Sequence, residues 1–424
     1  MSRRYRIWSQ RSLKAIALNI SLALLLWLSP GSALQPASAQ LDLFDAVWQT
    51  INENFYDPNF NGVDWDAAKE QYRPLVEKAS SHSEKAALIN QMLGELNTSH
   101  TQFYTPDEPA YYHLLGIFVP RVPRLKSQLK STFPEGKVEY VGIGAVTQQT
   151  DKATFVKAIF DGSPAEAAGL QVGDRILSVE GEPFSPIQSF VGREGETIRL
   201  EVQVSANPNS RKELTVTPRG YDAAEMFVEA LEESAELIQK NNKQIGYVHI
   251  WSYAGEKYQR TLEDIILYGE LKDADALVLD LRNGWGGAPL TALNLFTGRG
   301  PSMTTSGRAR SPVTYQGQWN KPVVLLVNKG SRSAKEIVAY GFKQYDIGPV
   351  VGSKTAGFVT GGRAFIMPDE SALYVAVTDV QLDGGVRLEG VGVVPDIEVP
   401  FSIEYAQGND PQKEQAIAVA LEAI

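Results

Sequence analysis

The sequence predicts an α/β protein of several domains: a helical N-terminal region, an inserted compact β domain, and a mixed-sheet α/β core with a β-rich C-terminal portion. Three observations predict this. Near the start, apolar residues recur at steps of four. From about Val138 the pattern changes to short apolar runs punctuated by glycine. After residue 220, apolar strands alternate with helical stretches, the signature of a mainly parallel sheet.

The 424 residues are 43% hydrophobic and 21% charged, enough for about two or three cored domains. The absence of cysteine excludes disulfides, thiolate catalysis and a Cys-based zinc site. A formal net charge of -10 argues against non-specific nucleic-acid binding, and no nucleic-acid partner is expected. Residues 1–39 form a separate regime. Arg3, Arg4, Arg6, Arg11 and Lys14 precede the apolar run Ile16 to Leu28, and the small-residue end Ala37 to Ala39 comes after it. That order predicts a signal peptide removed near Gln40, and export to a periplasm, thylakoid lumen or extracellular space. A retained N-terminal anchor, and with it membrane proximity, is the alternative.

Residues 40–118 read as the helical region. Leu43, Val47, Ile51 and Phe55 form one stripe, which Asp57-Pro58 stops. A second helix runs through Ala67, Tyr72 and Leu75. A third, Ser83 to Leu96, leads directly into "NTSHTQFYTPDE". Residues 138–219 read as a partly open β domain with one short helix at Pro164 to Gly169. The core, 220–424, is expected to open with a long helical stretch near Ala223. Next come strand "IGYVHIW", a helix around Thr261 to Tyr268, strand "ALVLDLR", helix "PLTALNLFTG", strand "PVVLLVN" and helix "AKEIVAYGF". The β-rich end is expected to add an antiparallel edge to the sheet.

Two segments of the core suggest chemistry. In "NKGSRSAKEIVAYG", Ser333 stands at a strand-to-helix junction, where a hydroxyl can project and free helical N–H groups gather. The competing reading is a capping box, because Ser333 and Glu336 have S-x-x-E spacing. "DLRNGWGGAP" places Gly284, Gly286 and Gly287 after an apolar strand. Its unobstructed N–H groups could hold an oxyanion together with that of Ala334. It lacks a P-loop ending, and no cofactor is expected. A serine needs a base. Among four histidines, His100 sits in "NTSHTQF" between helix and irregular chain, and a neutral imidazole accepts a proton near neutral pH. A helix-terminal surface histidine is the bland reading. No H-E-x-x-H pattern or ligand cluster suggests a metal.

The ordered segments "NENFYDP", "DGSPAEAAGLQVGDRILSVEG", "DLRNGWGG", "VNKGSRSAKEIVA", "VGSKTAG" and "GVGVVPDIEV" resemble the carboxyl-terminal processing peptidases of serine-peptidase family S41. The resemblance implies a serine endopeptidase with an inserted PDZ domain. That domain would capture the extended C-terminal segment of a protein or peptide substrate by β-augmentation. Gly142, Ile143 and Gly144 are the expected peptide-binding loop, with Ile143 either touching the ligand or packing internally. In one respect the chain departs from these relatives. They carry T-F-G-K-G, whose lysine is the general base, and here the matching segment is "TAGFV", with Phe358 at the lysine position. Lys354, four residues earlier, and Lys335 are alternative bases, each needing a lowered pKa. The tricorn-type branch instead uses a serine, histidine, serine and glutamate tetrad. Ser99-His100-Thr101 resembles its histidine segment, and Glu389 before "GVGVVPD" resembles its glutamate. That resemblance implies Ser333 as nucleophile and His100 as base, with Ser99 and Glu389 supporting the imidazole. An inactive peptide-binding scaffold is the remaining alternative.

Overall fold

The computed structural model describes residues 42–150, 153–298, 302–307 and 310–424; the expected signal peptide lies outside the described residues. Among the described residues, no helix is long and apolar enough to cross a membrane.

The N-terminal helices Leu43–Asn54, Trp65–Lys78 and His82–Gly94 each begin at a side-chain cap: Asp42 accepts from Asp45 N, Asp64 from Ala67 N and Ser81 from Glu84 N. Their buried faces, including Val47, Ile51, Ile89 and Met92, form a core of their own with Leu373 and Val375. Those last two belong to strand Ala372–Thr378. Strand Gln102–Tyr104 pairs antiparallel with it, and Gly361–Ile366 pairs on its other side. This three-stranded sheet fastens the helical region to a segment near the far end of the chain, where Gln102 stands opposite Tyr374. The turn around His100 is thereby delivered to the core.

The inserted β domain is a five-stranded antiparallel sheet in the order Ala145–Gln149, Thr154–Ile159, Arg175–Val179, Ile198–Gln203 and Arg211–Val216. Helix Pro164–Ala167 closes it over Val156, Leu170, Ile176 and Leu200. Entry strand Glu139–Gly142 pairs with exit strand Arg219–Asp222, so the domain stands on a two-stranded stalk. Ala145–Gln149 is the edge of the sheet.

In the core, Lys243–His249, Ala276–Asp280, Val323–Val327, Val350–Gly352 and Ile397–Glu398 are parallel neighbours in that order. The two central strands, Ala276–Asp280 and Val323–Val327, are buried at every position because both faces are covered. Val338, Ala339 and Phe342 of helix Ala334–Gln344 pack on one face. Ala416, Ile417 and Ala420 of helix Pro411–Glu422 pack on the other.

Several expected elements differ. The long helical stretch near Ala223 is only Met226–Glu233; strand Glu236–Lys240 comes next and forms the antiparallel edge of the sheet. Asn241 and Asn242, at φ 52° and 59°, turn it into Lys243–His249, a hairpin signal that the helical reading passed over. The C-terminal strands add no antiparallel edge. Gly361–Ile366 and Ala372–Thr378 build the separate sheet, Ile397–Glu398 joins in parallel, and a terminal helix ends the chain. "PLTALNLFTG" contributes one helical turn, Asn294–Thr297. The helix expected at Thr261 to Tyr268 begins earlier, at Glu256, and ends in a π turn over Asp264–Tyr268.

Candidate active site

Ser333 ends the turn after strand Val323–Val327, with φ 60° and ψ -137°, and the helix begins at Ala334. A β-carbon rarely tolerates that conformation, so neighbouring contacts must hold it. The Ser333 N–H donates to the Phe358 carbonyl at 2.7 Å. Glu336, fully buried, accepts from Thr355 Oγ1 at 2.5 Å and from the N–H groups of Gly357 and Phe358, each at 2.7 Å. The capping-box spacing therefore serves another purpose: Ser333 makes no side-chain cap, and Glu336 braces the 355–358 loop. The serine hydroxyl is left without a hydrogen-bond partner among the described residues.

The hydroxyl belongs to a cavity of about 550 Å³ also lined by Ser99, His100, Gly286, Gly287, Ala334 and Phe358. Gly286 passes so close to the serine that a β-carbon there would lie 2.3 Å from Ser333 Cβ and 2.9 Å from the Arg332 carbonyl. Only glycine fits. Gly287, at φ 86°, runs equally close to Ala254. The N–H groups of Gly286 and Ala334 have no acceptor among the described residues, so both are free to meet an oxyanion.

His100, at φ 55°, presents its ring to Tyr374 with centroids 5.0 Å apart. Its Nδ1 lies 2.8 Å from Ser99 Oγ and 3.3 Å from Thr360 Oγ1. Ser99 Oγ donates to Glu389 Oε2 at 2.8 Å. A hydroxyl has a single hydrogen, so Ser99 Oγ must accept from Nδ1–H. That tautomer leaves the Nε2 lone pair available as a base. Glu389 also accepts from the N–H groups of Ser99 at 2.7 Å, Val359 at 2.6 Å and Thr360 at 3.1 Å. Burial, and secondarily the Arg332 guanidinium, push the imidazole down to about 3. Histidine charges on protonation, so His100 is neutral over the whole range from neutral pH to well below 6.5. In the folded protein its imidazole NMR resonances are expected not to titrate between about pH 8 and 5. A midpoint near 6.5 would show that the ring is not desolvated. The linkage has one sign: the unfolded chain takes the proton first, so this group removes stability as pH falls from about 6.5 towards 3.

Neither lysine lines the cavity. Lys354 is exposed. Lys335 is fully buried, donating to the carbonyls of Trp251 and Asn283, each at 3.1 Å, with burial lowering its amine to about 7. Phe358, where the processing peptidases have lysine, is 45% exposed on the cavity wall. In the β domain, Ile143 is buried in the core, so of its two expected roles the structure shows internal packing. Its carbonyl and that of Gly144 accept from Ala165 and Phe160. Sequence reasoning missed Thr360, Arg332 and the bracing role of Glu336. Thr360 lies just beyond "TAGFV", outside every segment that carries a resemblance. Among the described residues, no acidic and histidine cluster could hold a metal.

Residues 244–399, which carry the Ser333 turn, the glycine loop and Glu389, match peptidase family S41. The chain carries an S41 peptidase core. Ahead of it, residues 39–94 match the tricorn protease C1 domain and residues 155–204 a PDZ domain. The chain is 27% identical over 405 residues to tricorn protease homolog 1 of Streptomyces coelicolor, covering 92% of this chain and 36% of that protein. It is 24% identical over 414 residues to a carboxyl-terminal-processing protease of Synechocystis, covering 94% and 90% respectively. It thus spans about a third of the tricorn homolog and nearly all of the processing protease. The crystal structure of the tricorn protease superposes with a TM-score of 0.52 at 19% identity, over 89% of this chain and 36% of that one, a likeness of fold.

Proposed function

We propose that this S41 chain is a metal-independent serine endopeptidase acting on exported or unfolded proteins, selected near their C termini by the PDZ domain. The observation that carries the reading is the Glu389–Ser99–His100 chain ending in the same cavity as the unpartnered Ser333 hydroxyl. His100 Nε2 takes the proton as Ser333 Oγ attacks the peptide carbonyl. The N–H groups of Gly286 and Ala334 receive the oxyanion, and the imidazolium returns its proton to the leaving amine. Water then enters by the same route in reverse and frees the acyl group. A histidine base and two backbone donors suffice for this sequence of steps. The free edge Ala145–Gln149 offers an extended substrate a strand to pair with.

A fluorophosphonate reagent separates this reading from the peptide-binding scaffold that Phe358 suggests. Peptide mapping is expected to find one adduct, on Ser333, absent from denatured protein. A folded wild-type protein that binds peptides and takes no label would favour the scaffold.

A further inference from the structure

Arg332 precedes Ser333 in the chain and lines the same cavity. Its Nε donates to the Gly284 carbonyl at 3.0 Å, and its guanidinium lies 4.1 Å from the centroid of the Trp285 ring. The guanidinium is therefore held from two sides, with the Tyr104 hydroxyl beside it. No carboxylate pairs with it among the described residues. Arg121 lines the same cavity, its donors used on the carbonyls of Ile117 and Ala254, likewise without an acidic partner among the described residues. Lys157 of the β domain feels the Arg332 charge too, which adds to burial in lowering its amine. Among the described residues, the one carboxylate of the cavity is Asp379, which already pairs with Arg387 at 2.6 Å.

Arg332 is half-buried on the cavity wall with its Nε spent on Gly284 and its two terminal nitrogens facing no carboxylate among the described residues, so a ligand carboxylate can serve as its counter-ion. We propose that Arg332 is a substrate anchor that selects an acidic side chain next to the scissile bond. A carboxylate fits the planar fork with two parallel hydrogen bonds, and the fork lies over Trp285, next to Gly286, in the cavity that Ser333 also lines, so the bound side chain lies near the attacked carbonyl. This rests on the peptidase reading for its substrate class. It also adds to it: the arginine charge opposes the imidazolium that forms on His100, and a bound carboxylate offsets that charge. An acidic substrate therefore gains in kcat as well as in binding.

The test compares peptides that differ only by Glu or Gln at the residues flanking the cleaved bond, each with a free or amidated C terminus. Binding is measured calorimetrically to folded Ser333→Ala protein, so that no turnover is needed. The Glu peptide is expected to bind about ten- to a hundredfold tighter than the Gln peptide, regardless of its terminus. Adding Arg332→Met is expected to reduce the ratio to about twofold or less, and Arg332→Lys to keep part of it, since charge remains while the fork is lost. Equal binding of the Glu and Gln peptides overturns the anchor even if neither Arg332 variant folds. So does a preference that survives Arg332→Met, or one that tracks the free terminus. If wild-type protein cleaves neither peptide while the binding preference holds, the peptidase reading falls, and Arg332 stands only as a carboxylate-binding residue of the cavity, not as an anchor beside a scissile bond.

Discussion

Ser333→Ala and His100→Ala are each expected to lower peptide-cleavage turnover by several orders of magnitude, while Lys354→Ala changes it by less than about threefold. The asymmetry comes from position. Ser333 Oγ has no other bonding role to preserve among the described residues, and His100 carries the side chain that joins the cavity to the Glu389 chain. Lys354 is exposed and outside the cavity, so its amine has neither the desolvation nor the reach that a lysine base requires. Because the two residues act as one unit, the double variant should be little slower than either single one. The comparison is made on proteins matched in thermal unfolding. His100→Ala with near-wild-type turnover, together with loss in Lys354→Ala, would hand the mechanism to a displaced lysine.

Much of the core was legible because its signals are local. The apolar strands Ala276–Asp280 and Val323–Val327, and the helix after Ser333, declare themselves by run length and by the turn residues beside them. The glycine loop was legible for a different reason: its residues leave no side chain in the way. Other features depend on pairings distant in sequence. Gln102–Tyr104 becomes a strand only because Ala372–Thr378 receives it, and no local pattern announces that partner. Glu336 shows the converse failure. Its spacing from Ser333 is a sound local signal for a cap, yet the 355–358 loop outcompetes the cap with two backbone N–H groups and a hydroxyl. Ser99 and Glu389 were reached through family resemblance, not from spacing, since 290 residues separate them. Arg332 carries no pattern at all; what singles it out is the lack of a paired carboxylate among the described residues.

Glu389→Gln is expected to lower kcat by about 10²–10⁴ with little change in KM, since in the proposed mechanism the residue positions the base without touching substrate. The carboxylate accepts from three backbone N–H groups and the Ser99 hydroxyl. An amide has one oxygen: with its NH₂ at the Oε1 position it opposes the Ser99 N–H and shifts the turn that carries His100, and with its NH₂ at the Oε2 position it opposes the Ser99 hydroxyl and the Val359 and Thr360 N–H groups. In the second placement two effects add. Ser99 Oγ loses its acceptor and can turn its hydrogen towards His100 Nδ1, which favours the other tautomer and places the proton on Nε2, where the lone pair is needed. The Val359 and Thr360 N–H groups also lose their partner. That loosens the loop whose Phe358 carbonyl holds the Ser333 N–H. Glu389→Asp keeps the charge with a shorter reach and is expected to recover part of the rate. A cycle combining Glu389→Gln with Ser99→Ala distinguishes positioning from mere stability, because a shared chain makes their effects on kcat strongly non-additive. Full turnover in a folded Glu389→Gln protein, or simple additivity in that cycle, would mean that the imidazole is oriented by Thr360 and packing alone.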